Sequence, residues 1–200
     1  MLKLVGDVMK KTFDLVKDSI FCAIVSVFII LLNLLTGLTD GISTLVIIVF
    51  IGCYFQNKTS VRAILSSLVI LLISFLVVNP INVLIFILTS LILGNISCLF
   101  LKKISDKKIF YIILGIVFFG VNFTIELLYA KFIMNMDFFT YIIADDLITL
   151  PDYVNNLSSL IITIYTILIA IISFMEVVIL RNCNILYKRR IMKIIGEKSE

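Results

Sequence analysis

Short polar breaks cut the chain into six apolar runs, roughly 19–36, 42–55, 63–78, 81–101, 109–134 and 157–180. A helix needs about 20 apolar residues to cross the hydrocarbon of a bilayer. The second and third runs fall short of that and reach it only by extending into their flanks or standing upright. The breaks have turn chemistry: two glycines in "TGLTDG", and the "NPIN" of 79–82, where Pro80 disfavours helix at Asn79. The latter makes the third and fourth runs a tight hairpin. With 62% hydrophobic and 15% charged residues, the chain carries more apolar side chain than a soluble domain of this size can bury. The expected fold is all-α and polytopic: a bundle of six transmembrane helices forming one domain over 19–180, with an N-terminal amphipathic helix over 1–18 and a basic cytoplasmic tail over 181–200.

In the leader, Leu2, Val5, Met9, Phe13, Val16 and Ile20 fall on one helical face, and Lys3, Asp7, Lys10, Asp14 and Lys17 on the other. Two readings fit this pattern: a helix lying in the membrane interface, or a solvated helical extension of the first span. The apolar run that follows is too long for a signal-peptide core and lacks a small-x-small cleavage site.

Orientation follows from the basic residues. With the N-terminus inside, the leader, the 56–62 turn ("QNKTSVR"), the 102–108 loop ("KKISDKK") and the tail hold every one of the 17 basic residues except Lys131. That matches the excess of Lys and Arg found in cytoplasmic loops. A multi-pass protein of the cell membrane with both termini cytoplasmic is expected. The outer side is acidic instead, with Asp40 in its first loop and Asp137, Asp145, Asp146 and Asp152 in the 135–156 connection, which is amphipathic enough to form a short helix or lid. The basic residues thus sort by membrane side, which argues for the lipid bilayer as partner and against nucleic acid.

Cys22, Cys53, Cys98 and Cys183 map near cytoplasmic span ends, where a reducing environment disfavours disulfides. No Cys-x-x-Cys pair supports a metal site, and the chain has no histidine, the commonest general base and metal ligand. No Walker A loop, His-Glu-x-x-His or Gly-x-Ser-x-Gly pattern is present. The expectation is a protein that is not an enzyme and needs no cofactor.

Ionised groups in hydrocarbon are costly, so they line cavities or reach for water. Asn122, Glu126 and Tyr129 share a helical face at i, i+4 and i+7, which points to a polar cavity opening outward or to a helix–helix hydrogen bond. Lys131, roughly 140° round the helix from Glu126, is expected to snorkel to the outer headgroups. Glu176, five residues before Arg181, is expected to snorkel to the inner surface or pair locally. Asn33, Asp40, Asn79 and Asn82 lie at the outer depth of Glu126, although asparagines at turns commonly only form the turn. Ser159, Thr163, Thr166, Ala170 and Ser173 form a stripe of small residues suited to close helix packing.

The layout from about 55 to 137 carries a resemblance: the basic "QNKTSVR" turn, a span ending in Asn79–Pro80, a return span with Gly94 near its end, the "KKISDKK" loop and a span ending in "NMD". It resembles small six-span membrane proteins related to the substrate-binding S components of energy-coupling factor (ECF) transporters. The resemblance implies a small-molecule solute bound from the outer side, with Asn122, Glu126 and Tyr129 facing it. It also implies a coupling subunit and a pair of cytoplasmic ATPases as partners. Where such proteins carry an Ala-x-x-x-Ala face on the first span, this chain has Ala23, Val27 and Leu31. The competing class is a non-transporting scaffold of the MreD cell-shape type, in which Glu126 packs helices and the basic tail is the contact surface.

Overall fold

The computed structural model describes residues 2–36, 40–77, 81–103, 108–144 and 158–191. Among these the chain is helical nearly throughout, with no strand. In order run α1 (Leu2–Thr36), α2 (Asp40–Val49), α3 (Ser60–Val77), α4 (Ile81–Lys103), α5 (Lys108–Leu128), α6 (Phe138–Ala144) and α7 (Ser158–Leu186). Three of them continue into a wider π-helical turn: Phe50–Tyr54 after α2, Tyr129–Ile133 after α5 and Tyr187–Ile191 after α7. The described residues of all six apolar runs are therefore helical nearly throughout. Two stretches, Ile109–Ile133 and Leu160–Arg189, are long and apolar enough to cross a membrane, with mean hydropathies of 2.0 and 2.4. Thr44–Tyr54, Ser60–Leu76 and Ile87–Lys102 are shorter apolar helices.

The leader and the first apolar run form one uninterrupted helix, α1. Likewise 181–191 continue α7 and its π turn, so the basic tail begins as helix. The connection after α5 holds α6; residues 145–157 lie outside the described part.

Two compact units make up the chain: Met1–Ile104 together with Cys183–Glu200, and Ser105–Asn182. In the first unit α4 packs on α2, on the Phe50–Tyr54 turn and on α3, and α1 packs on α2 and α3. Ile29, Ile47, Ile51, Phe55, Ile70, Ile87 and Leu91 fill its interior. Residues 51–56 are all buried, so the end of this turn is enclosed by protein on every side. Gly94 permits the approach of α4, because a Cβ there would lie 2.9 Å from Ile51 Cβ. Buried hydroxyls return a hydrogen bond to the carbonyl one turn earlier, as in Ser26 to Cys22, Ser67 to Ala63 and Ser97 to Leu93. Asn95 of α4 donates to Ser67 of α3 (2.7 Å).

The distribution of polarity is inverted relative to a water-soluble bundle. On α3, Ser66, Ser67 and Ser74 are buried while Leu72, Phe75 and Leu76 are exposed. On α1, Phe13, Val16 and Ile20 are exposed, whereas Asp18 is buried. Over 13–20 the helix thus turns Asp18 toward protein and Phe13, Val16 and Ile20 outward.

Candidate functional site

In the second unit, α5 ends where Asn135 takes the left-handed conformation (φ 53°). After glycine, asparagine tolerates this region best, which makes it a common helix terminator. The N–H groups of Met134 and Met136 reach back to Tyr129 O (3.1 Å) and Ala130 O (3.0 Å), satisfying carbonyls of the π turn. Two residues on, Asp137 caps α6: its carboxylate accepts from Thr140 N (3.1 Å) and Thr140 Oγ1 (2.5 Å). The acid read as part of an acidic outer face therefore has a local structural task.

These two devices bring α6 onto the end of α5. Tyr141 of α6 donates its hydroxyl to Glu126 Oε2 at 2.8 Å. Around that bond lies a cluster of rings. Tyr141 meets Tyr129 edge-on (5.6 Å between centroids), and Phe138 meets Phe123 (5.7 Å) and Tyr165 of α7 (5.8 Å) in the same way. Phe119 stacks on Phe123. Ala130, Tyr141, Ile142, Ile161, Tyr165 and Ile169 form the buried apolar base.

Asn122, one turn earlier, belongs to a different set of contacts. Its amide donates to Ser173 Oγ (3.0 Å) and Glu176 Oε2 (3.2 Å), both on α7. Glu176 is buried and held by Asn122, which replaces the expected snorkelling or local pairing with Arg181. The Arg181 guanidinium instead lies over the Tyr111 ring, 5.4 Å from its centroid. Asn122, Glu126 and Tyr129 do share a face of the helix, but Asn122 engages α7 and the other two engage α6. Lys131 is exposed and sits beside Phe132. Asn33 and Asp40 lie on α1 and α2 with side chains outside the described part, as is that of Asn82; Asn79 falls wholly outside it.

The first unit contains a charged centre that local sequence patterns do not mark. Asp18 of α1 accepts from Tyr54 Oη (3.0 Å) and Lys58 Nζ (2.6 Å) on one oxygen, and from Arg62 Nε (2.7 Å) on the other. Arg62 also reaches Asp14 (3.8 Å). Lys58 Nζ lies 3.6 Å from the centre of the Tyr54 ring, and Lys102 donates to the Lys58 carbonyl (3.3 Å). Residues of the leader, the 56–62 turn and the end of α4 thereby meet at one end of this unit. Its partners lie 36 to 44 residues from Asp18, so only the inverted position of an acid beside an apolar run hints at it.

Beside this centre is an apolar cavity of about 350 Å³, lined among others by Phe21, Phe50, Cys53, Tyr54, Cys183 and Tyr187. None of the residues singled out from the sequence as ligand-facing borders it. The described cysteines are free thiols, three buried and Cys183 partly so.

No protein-family model, curated protein or solved structure shows a significant match to the chain. The resemblance to S components accordingly stands on the sequence layout of 55–137 and the expected topology.

Proposed function

We propose that the chain is a multi-pass membrane protein with both termini cytoplasmic, and that it serves as a solute-binding subunit, S-component-like, taking a small metabolite from the outer side. The membrane part draws support from the inverted polarity of α1 and α3. Exposed apolar faces of this extent mark contact with lipid or partners, and buried serines and an asparagine crossing between helices suit packing in a bilayer. The meeting of three basic segments at one end of the first unit agrees with a cytoplasmic side there.

The observation that carries the solute-binding reading is Glu126 under Tyr141, with Phe119, Phe123, Tyr129, Phe138 and Tyr165 gathered nearby. A carboxylate among aromatic faces favours a solute bearing an amine or quaternary ammonium, through ion pairing and cation–π attraction. Binding requires α6 to lift, exchanging the Tyr141 hydroxyl for the solute. The coupling subunit and ATPases belong to the same reading, with exposed Ala23, Val27 and Leu31 of α1 as the surface available for docking.

The test is gentle purification from native membranes, with mass spectrometry of proteins and small molecules, then thermal shift across a metabolite panel. A stoichiometric cationic metabolite whose binding is lost in a folded Glu126→Gln variant is the expected result. No bound molecule and no shift by any metabolite would sink it. One observation favours the scaffold reading instead: Asn122 is spent on Ser173 and Glu176, as in helix packing. Recovery of cell-envelope proteins without a small molecule would establish that alternative.

A further inference from the structure

We propose that the cavity of the first unit holds one acyl chain of an anionic phospholipid of the inner leaflet. The inference rests on the membrane placement given above and is independent of the Glu126 site. The cavity's lining is wholly apolar, and its volume of about 350 Å³ lies in the range of ligand sites, about 300–1,000 Å³. A polar metabolite would lose its hydrogen bonds to water there without replacement, whereas a hydrocarbon chain loses none. Two walls are aromatic: Tyr54 lies between Phe21 (4.8 Å between centroids) and Phe50 (5.3 Å). Val49, Cys53, Cys183, Leu186 and Tyr187 contribute the remainder.

Basic residues for a headgroup adjoin the lining residues along the chain. Lys17 precedes Phe21 by one turn on the same face of α1, and Lys188 and Arg189 directly follow Tyr187. Of the nearby carboxylates, Asp18 is held by Lys58 and Arg62, and Asp14 lies 3.8 Å from Arg62. Among the described residues no carboxylate forms a salt bridge with Lys17, Lys188 or Arg189. An apolar slot flanked by these cations complements a lipid of net negative charge, and a zwitterionic lipid, whose phosphate is offset by its own ammonium, far less. Basic residues at the cytoplasmic surface each contribute roughly a fivefold preference for anionic lipid.

The full chain is reconstituted in phosphatidylcholine nanodiscs containing a trace of phosphatidylglycerol or phosphatidylcholine that bears a photoactivatable group in its acyl chain. Cross-linked peptides are then mapped. The expected result is at least about fivefold more labelling of 49–54 and 183–187 by the phosphatidylglycerol probe. Lys188→Gln with Arg189→Gln removes that preference at unchanged melting temperature. Cys183→Phe, which fills the slot, abolishes labelling there by both probes while Leu72, Phe75 and Leu76 of α3 stay labelled. Equal labelling of the slot by both probes, or labelling confined to the outward face of α3, overturns the inference and leaves the membrane placement intact. If neither probe reaches α3, the membrane placement itself fails, and the inference with it.

Discussion

At Asp18, Tyr54, Lys58 and Arg62 converge on one carboxylate whose side chain is only 7% exposed. Removing one partner from such a buried set strands the others and costs about 3–5 kcal/mol. Asp18→Asn should therefore lower the melting temperature of the detergent-solubilised protein more than Asp14→Asn, since the Asp14 side chain is 44% exposed. Adding Lys58→Met to Asp18→Asn should recover part of the loss. The two close-packed glycines give a second contrast. A methyl group on Gly94 meets Ile51 Cβ, which is fixed to the backbone, and overpacking of this kind costs about 1–3 kcal/mol. A methyl on Gly115 meets the ring of Phe174, which is partly exposed and can swing away. Gly94→Ala should thus destabilise clearly and Gly115→Ala little, as read by thermal unfolding. The common face of Asn122 and Glu126 was legible because it depends on spacing within one helix. That they bond to different helices was not, because their partners are set by how α6 and α7 approach.

Among the described elements, α6 is the one whose position depends on a single left-handed residue. Asn135 in the left-handed region turns the chain so that Asp137 can cap α6 and Tyr141 can reach Glu126. A non-glycine residue unsuited to that region costs roughly 1–2 kcal/mol. Asn135→Val should accordingly speed hydrogen exchange across 138–144, and Asn135→Gly should leave it near the parent rate. A similar result for both variants would mean that α6 is held by its rings alone. The Asp-x-x-Thr cap is a four-residue pattern and was open to sequence reading; α1 was less so. Its pattern allowed a separate interfacial helix, yet nothing between the leader and the first apolar run breaks a helix, and Asp14 and Asp18 have Lys58 and Arg62 to bind. The result is a helix of 35 residues, about 52 Å long at 1.5 Å per residue, against a hydrocarbon thickness of about 30 Å.

For the whole molecule, helical class and the positions of the apolar segments followed from hydropathy and turn residues, because both act locally. The division into two units did not, since it depends on the last turns of α7 and its π turn joining α1–α4 rather than α5. Orientation has a direct check in Lys131, exposed and the single basic residue expected outside. A membrane-impermeant amine reagent applied to intact cells should modify Lys131 and spare Lys58, Lys102 and Lys188, and Lys131→Arg should abolish the modification. Labelling of Lys58 or Lys188 under the same conditions would reverse or discard the proposed topology. The division into units also has a practical chemical side. All four cysteines belong to the first unit, so a thiol-specific alkylating agent records events in that half alone. The rate at which Cys22, Cys53 and Cys98 acquire mass in a labelling time course is then a clock for the breathing of α1–α4. The half that carries Glu126 stays silent in that assay, and a single cysteine introduced there would report on it without background from its own unit.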